Sequence, residues 1–312
     1  MIKAQAPIKS KKQKYMNRIW KNRALYLFIL PLMVFLLLFN YMPMYGLQIA
    51  FKNYSPAKGI WGSQWVGMKY FDKFLTSYSF WNLLRNTLVL SLYHLITSFP
   101  LAIILALIIN YIPAYRFKKL VQTATYAPHF VSTVVVVGML FIFFAPSSGI
   151  VNNIIVNLGG TAYDYRGSAA SFPHRYVWTG IWQHMGWNSI IYIAALVSVP
   201  PELHEAATVD GAGKFKRILH VDIPAILPTA VIMLIMDCGR IMNLGHEKIL
   251  LMQASSNLSA SEVISTYVYK IGLQSAQFSY ATAIGLFNNV INCILLVLVN
   301  FISNKLSGEG LW

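Results

Sequence analysis

The chain has 312 residues, of which 56% are hydrophobic and only 11% are charged. Because soluble globular domains carry about a quarter charged residues, this composition excludes an ordinary soluble protein and favours one integral membrane domain. The net charge of +15 would by itself fit a nucleic acid partner. The positions of the basic residues argue against that function class.

The basic residues cluster near the chain ends and after every second apolar run. The N-terminal tail, residues 1–23, is strongly basic and contains no acidic residue, and further basic residues stand within 116–119, 214–217 and at 305. Cytoplasmic segments of membrane proteins are enriched in Lys and Arg. We therefore predict that both chain ends are cytoplasmic, that residues 303–312 form a short C-terminal tail, and that nucleic acid is not a partner.

Six apolar runs lie between the tails, in a predicted transmembrane domain of residues 24–302. Each run is at least about 18 residues long, which is enough to cross a bilayer as a helix. The first has no small-residue cleavage pattern after it, so we predict a retained helix rather than a signal peptide. The loop at residues 245–280 is predicted to be external. The predicted fold class is an all-α integral membrane protein with six transmembrane helices, at residues 24–45, 86–109, 120–145, 176–199, 225–244 and 281–302.

A short, mostly polar segment, residues 200–224, separates the fourth and fifth predicted spans. Pro201 suits the first position of a helix, and Gly211 allows the chain to turn sharply. The segment is therefore predicted to contain two short helices, the second at Lys214–His220, before the chain re-enters the membrane at Pro224.

The spacing of this segment resembles the EAA loop of permease subunits in bacterial ATP-driven importers. It contains Glu-Ala-Ala at 205–207, then three residues, Gly211, nine residues, and an aliphatic-x-aliphatic-Pro pattern at 221–224. In that family the loop docks onto a separate ATPase, and residues 200–224 are called the EAA segment below. The resemblance implies the type I ABC importer permease fold, pairing of Glu205 with a basic residue of the ATPase, and a turn set by Gly211. It assigns ATPase coupling to Glu205, Ala206, Ala207, Asp210 and Gly211.

Other stretches resemble the LplB-like branch of type I importer permeases, which is associated with oligosaccharides cut from polysaccharides or glycans. They are residues 262–269, residues 280–292, the closing Leu311-Trp312, and Ile150-Val-Asn152 after Gly149. The resemblance implies a carbohydrate substrate, an extracytoplasmic solute-binding lipoprotein, a second homologous permease and two ATP-binding-cassette ATPase subunits. It also implies a multi-pass location in the bacterial plasma membrane, in contact with lipid.

No motif for binding ATP, another cofactor or a metal stands out in the sequence. Gly211-Ala-Gly213-Lys214 lacks the four-residue spacer and the final Ser or Thr of a phosphate-binding loop. His246-Glu247 has no second His at the spacing of a zinc-binding helix. We therefore expect that the chain is not an enzyme, and that ATP and Mg²⁺ are bound by partner subunits.

Polar residues in the predicted spans indicate a candidate substrate path, because ionisable groups inside a membrane are costly and suggest an aqueous route. The fifth span contains Asp237, Arg240 and Asn243 at intervals of three residues, which would place them on neighbouring positions of one helix face. They could present acceptors and bidentate donors to a sugar. An Asp237–Arg240 pair that satisfies itself is the alternative.

The fourth and sixth predicted spans add further candidates. His184, Trp187 and Asn188 combine apolar faces with polar edges, and Trp187 could stack on a pyranose ring. Asn288 and Asn292 lie one turn apart on the sixth span, where side-chain amides often hydrogen-bond between helices. For these two residues, contact between helices is as good an interpretation as ligand contact.

Together these features predict a transmembrane permease subunit of an ATP-binding-cassette importer, forming half of a pathway for a carbohydrate, with an oligosaccharide favoured. The alternative is an ion-gradient-driven secondary transporter of a polar solute, although Asp237 is the one acidic residue clearly within a predicted span. A membrane scaffold or receptor without transport is a further alternative. Uptake that depends on a co-purifying ATPase would separate the three.

Overall fold

The computed structural model describes residues 20–308, 310 and 311, and this part of the chain is almost entirely helical. The predicted basic tail at residues 1–23 lies mostly outside the described residues, as does Trp312. The α-helices are α1 (Arg23–Leu36), α2 (Met42–Met44), α3 (Gly59–Gly62), α4 (Lys69–Leu75), α5 (Phe80–Asn110), α6 (Tyr115–Tyr126), α7 (Thr133–Phe143), α8 (Ile150–Asn157), α9 (Phe172–Val197), α10 (Pro201–Val209), α11 (Lys214–Arg217), α12 (Ile223–Cys238), α13 (His246–Met252), α14 (Leu258–Ser261), α15 (Ile264–Tyr269) and α16 (Phe278–Ser307).

Tighter and wider helical turns and one small sheet join these helices. The sheet consists of β1 (Lys52–Asn53) and β2 (Gln64–Trp65), which pair antiparallel with Lys52 opposite Trp65. The 3₁₀ turns are Tyr45–Phe51, Ala127–Phe130 and Ser255–Asn257, and the π turns are Leu37–Tyr41, Ile218–Asp222 and Lys270–Gln274.

Four helical stretches among the described residues are long and apolar enough to cross a membrane, and a bent pair of helices would make a fifth span. Each of the four is at least 25 residues long, so at about 1.5 Å per residue each exceeds the thickness of the bilayer core. They coincide with the first, second, fifth and sixth predicted spans. Their bounds are Arg23–Phe51, Phe80–Asn110, Lys214–Cys238 and Phe278–Lys305.

The third predicted span, residues 120–145, was wrong as a single helix. The chain instead forms two helical pieces, Tyr115–Phe130 and Thr133–Phe143, which meet at an angle of 99°. Pro128 lacks a backbone N–H, and the backbone is extended at Val131 before Ser132 caps α7. The side-chain amide of Gln183 in α9 donates to the Val131 carbonyl over 2.8 Å. A neighbouring helix thus satisfies the carbonyl that the break leaves free, which is the condition for irregular backbone inside a membrane.

The fourth predicted span corresponds to α9, a helix of 26 residues that is not among the apolar spans. Its length suffices to cross a membrane, but polar residues such as Gln183, His184 and Asn188 lower its hydropathy. The helix packs along α5, where Leu90 of α5 and Val177 and Ile181 of α9 share one buried cluster. Because neighbouring elements bury Gln183 and half-bury His184, this face of α9 can carry polar groups that a lipid-facing surface would not tolerate.

Close approach of backbones holds the centre of the fold together. Ala102 and Ala106 of α5 pack against Tyr192 of α9 in a second buried cluster. A Cβ atom on Gly186 of α9 would overlap the carbonyl oxygen of Thr125 in α6. Small residues at these positions let the helices approach closely, which is how helices associate in membranes without a hydrophobic driving force.

The stretch between α12 and α16, residues 245–277, folds into the body of the protein and is called the inserted segment below. Its residues Ile249, Met252 and Val263 are buried in the cluster shared by α5 and α9. Asn86 and Thr87 of α5 fasten it: the Asn86 amide donates to two carbonyls of the segment, and the Thr87 hydroxyl accepts from a backbone N–H. The predicted external loop is therefore part of the core.

The helix α1 contrasts with this core, because none of its residues is buried. It exposes a continuous apolar surface, with Phe28 81% exposed. A surface of this kind suits contact with lipid or with a further membrane helix.

Candidate functional site

The EAA segment forms a tight helix–turn–helix at one end of the fold. Helix α10 ends in a Schellman turn, in which Ala212 N donates to Ala207 O and Gly211 N donates to Thr208 O. Gly211 has a φ of +73°, a left-handed conformation that glycine adopts without strain. The prediction that this residue sets the turn agrees with that geometry. Arg217 then ties the two helices together by donating to the hydroxyl of Thr208 over 3.1 Å.

The residues predicted to couple to an ATPase lie on an uncovered surface. Glu205, Ala206, Asp210 and Gly211 are exposed and Ala207 is half-buried. Large apolar side chains surround them without cover: Val209 is 88% exposed, Phe215 is 77% exposed, and Leu203 is also exposed. Exposed large apolar side chains grouped in this way are typical of protein interaction surfaces.

The second half of the EAA segment differs from the prediction. Instead of a separate short helix at Lys214–His220, the chain continues as one helical stretch from Lys214 to Cys238. The π turn Ile218–Asp222 accommodates Pro224, which has no N–H to donate to His220. The N–H of Ile223 instead donates to Ile218 O, five residues earlier. As a result, the EAA segment continues directly into the apolar helical stretch that ends at Cys238.

A buried aspartate anchors the EAA segment to two other parts of the fold. Asp222 is 0% exposed. Its carboxylate accepts from the hydroxyl of Tyr111, just after α5, over 2.7 Å, and lies 3.3 Å from Nε2 of His204 in α10. Burial and the bond to Asp222 raise the pKa of Tyr111 to about 12, so this hydroxyl remains a donor at neutral pH. Asp222 thereby links α10, α5 and the start of α12.

A polar cavity lies between α5, α9, the end of α12 and the inserted segment. It consists of two adjoining hollows of about 260 Å³ and about 210 Å³, which share His94, Tyr176 and Gly245. Four of the predicted path residues line the larger hollow, and His184 lines the smaller one. Those four residues are Asn188, Asp237, Arg240 and Asn243.

The predicted stripe on the fifth span needs a correction. Helix α12 ends at Cys238, so Asp237 lies in its last turn whereas Arg240 and Asn243 follow on irregular turns, and the three do not share one helix face. They reach the same cavity because the chain turns there. The close ion pairs among the described residues are His204–Asp222 and Lys270–Glu262, so Asp237 and Arg240 form no close pair, although their charges interact.

Asn288 and Asn292, the predicted residues of α16, contact the broken end of α12. The amide of Asn288 donates to Met242 O over 3.2 Å and to Oδ1 of Asn243 over 2.7 Å. Oδ1 of Asn292 accepts from Met242 N over 3.0 Å. Both side chains are buried. These contacts satisfy backbone groups that the end of the helix leaves free, which favours the interhelical role.

His184 and Trp187 share a neighbour that sequence reasoning did not single out. Nδ1 of His184 lies 3.0 Å from Nδ1 of His129, in the bend between α6 and α7. The His129 ring stacks on Trp187, with ring centres 4.3 Å apart and planes 2° apart. One face of Trp187 is therefore already occupied, and Trp187 is not among the residues that line the polar cavity.

Further cavity residues also escaped the prediction. Ser91, His94 and Ser98 of α5 line the larger hollow, and their spacing of three and four residues is a readable polar stripe in an apolar span. Lys248 lines the smaller hollow, but it lies in the inserted segment and carried no such signal. Within residues 20–308, 310 and 311, no three His, Cys, Asp or Glu side chains are grouped so that they could hold a metal ion.

The chain matches the family described as "Binding-protein-dependent transport system inner membrane component" over residues 98–308. It is 41% identical to Protein LplB of Bacillus subtilis (strain 168) over 298 residues, which cover 96% of this chain and 94% of LplB. It is 40% identical to the polygalacturonan/rhamnogalacturonan transport system permease protein YteP of the same strain, over 97% of this chain and 95% of YteP.

A solved structure shares the fold. It is described as a bacterial alginate ABC transporter in complex with alginate pentasaccharide-bound periplasmic protein. One of its chains superposes with a TM-score of 0.87 and 36% sequence identity, covering 95% of this chain and 99% of the other. The family match spans well over half of the chain and the relatives match nearly all of it. The chain therefore belongs to the family of binding-protein-dependent transport system inner membrane components.

Proposed function

We propose that this chain is the permease subunit of an ATP-binding-cassette importer and forms half of the pathway for an oligosaccharide. The observation that carries the proposal is similarity over nearly the whole chain to YteP and to the alginate transporter chain. Both names concern saccharides, and the polar cavity offers hydroxyl, amide, imidazole and charged groups of the kind that bind sugars. The relatives do not favour the alternative of a gradient-driven transporter.

The proposed membrane arrangement has six spans, with both chain ends cytoplasmic in a bacterial plasma membrane. The four apolar helices supply four spans, the bent pair α6–α7 a fifth, and α9 the sixth. Shielding of α9 by α5 supports its place inside the bilayer despite its polar residues. The cluster of Lys214, Lys216 and Arg217 beside the EAA segment supports the cytoplasmic position of that segment.

The proposed partners are a second homologous permease, two ATP-binding-cassette ATPase subunits and an extracytoplasmic binding protein. The alginate transporter structure, which contains a ligand-bound periplasmic protein, supports the last of these. Helix α1 has no buried residue, as expected for one half of a larger assembly. ATP and Mg²⁺ would be held by the ATPase subunits.

In the proposed coupling mechanism an ATPase subunit seats on the exposed face of α10. Glu205 pairs with a basic residue of the ATPase. The small side chains of Ala206 and Ala207 let the ATPase approach the backbone closely, and Asp210 and Gly211 shape the turn. Closure of the ATPases moves α10, and the continuous helix from Lys214 to Cys238 carries that movement to the cavity, where Asp237 and Arg240 lie. Hydrolysis resets the pathway.

In the proposed ligand path, Asp237, Arg240, Asn243, Asn188 and His184 contact the oligosaccharide. Asn288 and Asn292 act behind them by holding the chain that carries Arg240 and Asn243 in place. Trp187 supports the wall through its contact with His129. The ligand path thus has a layer that touches sugar and a layer that positions it.

The test is uptake by the complete importer in proteoliposomes that contain its binding protein and a radiolabelled oligosaccharide. The proposal requires uptake that depends on internal ATP and on the binding protein and that persists when ion gradients are collapsed. Uptake that follows a proton or sodium gradient and ignores ATP would overturn it.

A further inference from the structure

Lys248 of the inserted segment reaches the polar cavity from the first helix after the end of α12. It stands on α13, next to the buried core residue Ile249, which fixes the helix against α5 and α9. Its ammonium group donates to the Tyr176 carbonyl over 3.2 Å and lies 5.3 Å from the centre of the Tyr176 ring. One of its three donors is used there, and two remain.

The space around this ammonium group is shaped by a glycine. A Cβ atom on Gly180 of α9 would lie 3.5 Å from Nζ of Lys248 and 3.5 Å from Nε2 of His94. Both nitrogen atoms therefore border the space left by the missing side chain. The helix that forms this wall thus leaves room beside these two nitrogen atoms in the smaller hollow.

No carboxylate of the described residues neutralises Lys248. Glu247 and His184 line the same hollow, and Asp237 and Arg240 line the adjoining one. Neither acid forms an ion pair with Lys248, because the ion pairs among the described residues are those of Asp222 and Glu262. Burial lowers the pKa of Lys248 to about 8, as expected for a desolvated ammonium without a counter-ion.

An ammonium group held in a partly buried hollow without a counter-ion is costly, and folding alone gives no reason to place it there. Arg240, the other cation of the cavity, interacts with the charge of Asp237. Lys248 is therefore the cavity cation that would gain most from a negative ligand.

We propose that Lys248 binds a carboxylate of the transported oligosaccharide, so that this chain serves the import of acidic, uronic-acid-containing oligosaccharides. The assignment rests on the proposed importer function and adds to it the residue that distinguishes acidic from neutral sugars. A ligand carboxylate in the space beside Gly180 would accept from Nζ of Lys248 and from a donor nitrogen of His94.

A structural role for Lys248 makes a different prediction. If the hydrogen bond to Tyr176 mattered only for packing, loss of the amine would impair acidic and neutral substrates equally. If the amine binds a carboxylate, its removal would impair the uptake of acidic substrates only, and a different cationic side chain at the same position would restore that uptake. Lys270 supplies a matched control, because it is a lysine of the same segment that is already paired with Glu262 over 3.0 Å.

The experiment compares uptake by the reconstituted complete importer of an oligouronide and of the same oligomer with its carboxyl groups methyl-esterified. Lys248→Met is expected to raise the KM for the acid about tenfold, the typical value of a charge-assisted hydrogen bond. The same variant should leave the KM for the ester within about twofold of the wild-type value. Lys248→Arg should restore the wild-type KM for the acid. Lys270→Met should change neither KM.

Equal losses for acid and ester in Lys248→Met, or no loss for either, would overturn the assignment. Wild-type uptake of the ester but not of the acid would overturn it too, while leaving the proposed function standing. If the importer takes up neither compound, the assignment fails, and the proposed function is decided by its own test of ATP-dependent oligosaccharide uptake. If the binding protein delivers only the acid, the ester provides no comparison. Uptake of the acid by Lys248→Arg then tests the assignment, because arginine keeps the charge that methionine removes.

Discussion

The EAA segment and the polar cavity are built in opposite ways. The EAA segment is contiguous in sequence and exposed. Local hydrogen bonds stabilise it, in a Schellman turn at Gly211 and between Arg217 and Thr208. The polar cavity is assembled from α5, α9, the broken end of α12 and the inserted segment. A surface that engages one partner can be carried by one stretch of chain, whereas a cavity needs walls from several.

The helix from Lys214 to Cys238 is what the two regions share. One of its ends belongs to the EAA segment and the other carries Asp237 to the cavity wall. We therefore expect variants at the cavity end to affect ligand handling and variants at the EAA end to affect ATPase coupling.

Arg240→Ala should lower oligosaccharide uptake by about 100-fold, because the guanidinium group offers the ligand bidentate, charge-assisted hydrogen bonds, each of which contributes about 1.5–3 kcal/mol. Assembly of the complex and basal ATPase activity should persist, since Arg240 lies at the cavity and not at the docking surface. Arg116→Ala, on an exposed position of α6, is the control. Unchanged uptake in Arg240→Ala would contradict a direct role in the path.

Asp222→Ala should uncouple ATP hydrolysis from transport without impairing the binding of sugar in the cavity. The substitution leaves the Tyr111 hydroxyl and His204 without their acceptor, a local cost of about 1–3 kcal/mol, and it frees α10 from α5. The expected result is an approximately tenfold drop in sugar moved per ATP hydrolysed, with the KM for sugar little changed. Asp222→Asn, which keeps an acceptor oxygen, should lie between the variant and wild type. A changed KM for sugar with intact coupling would contradict a role of Asp222 in coupling.

Uptake of an acidic oligosaccharide should weaken as the pH rises from 7 to 9. Lys248 is charged below its lowered pKa of about 8 and neutral above it, so the cation that binds the carboxylate is lost in this range. The groups facing it are His94 of α5, Tyr176 and His184 of α9, and Glu247 of its own helix. Histidine and glutamate ordinarily titrate below this window and tyrosine above it.

The KM for the acid should rise about fivefold across that range, as follows from a tenfold contribution lost around pH 8. The methyl ester supplies the baseline, and Lys248→Arg should remove the pH dependence, because arginine stays charged. A profile for the acid that parallels that of the ester would contradict a role for the Lys248 charge.

The two regions also differ in how much of them could be predicted from sequence. The turn at Gly211 and the exposure of Glu205 follow from local rules, namely a glycine with positive φ and a short polar helix between apolar spans. The continuation of the helix through Pro224 did not follow, because a π turn that accommodates a proline has no sequence signature at this level.

The cavity was only partly predictable for a physical reason. Asp237 and Arg240 stood out because charges in apolar spans are rare, but the end of α12 at Cys238 depends on amides of Asn288 and Asn292 some 50 residues later. Lys248 could not be found, because a lysine in a predicted external loop has no unusual feature until the inserted segment folds inward. The bend at Val131 likewise depends on Gln183, which lies on another helix.

The most direct test of the coupling between the two regions is ligand-stimulated ATPase activity of the complete importer in lipid, comparing Glu205→Lys with Glu202→Lys. Both glutamates are exposed on α10, so the charge change is matched and only the position differs. The account predicts that stimulation by binding protein and oligosaccharide collapses in Glu205→Lys, with the subunits still co-purifying, and persists in Glu202→Lys. Full stimulation in Glu205→Lys, or equal loss in both variants, would contradict the assignment of the EAA segment as the coupling surface.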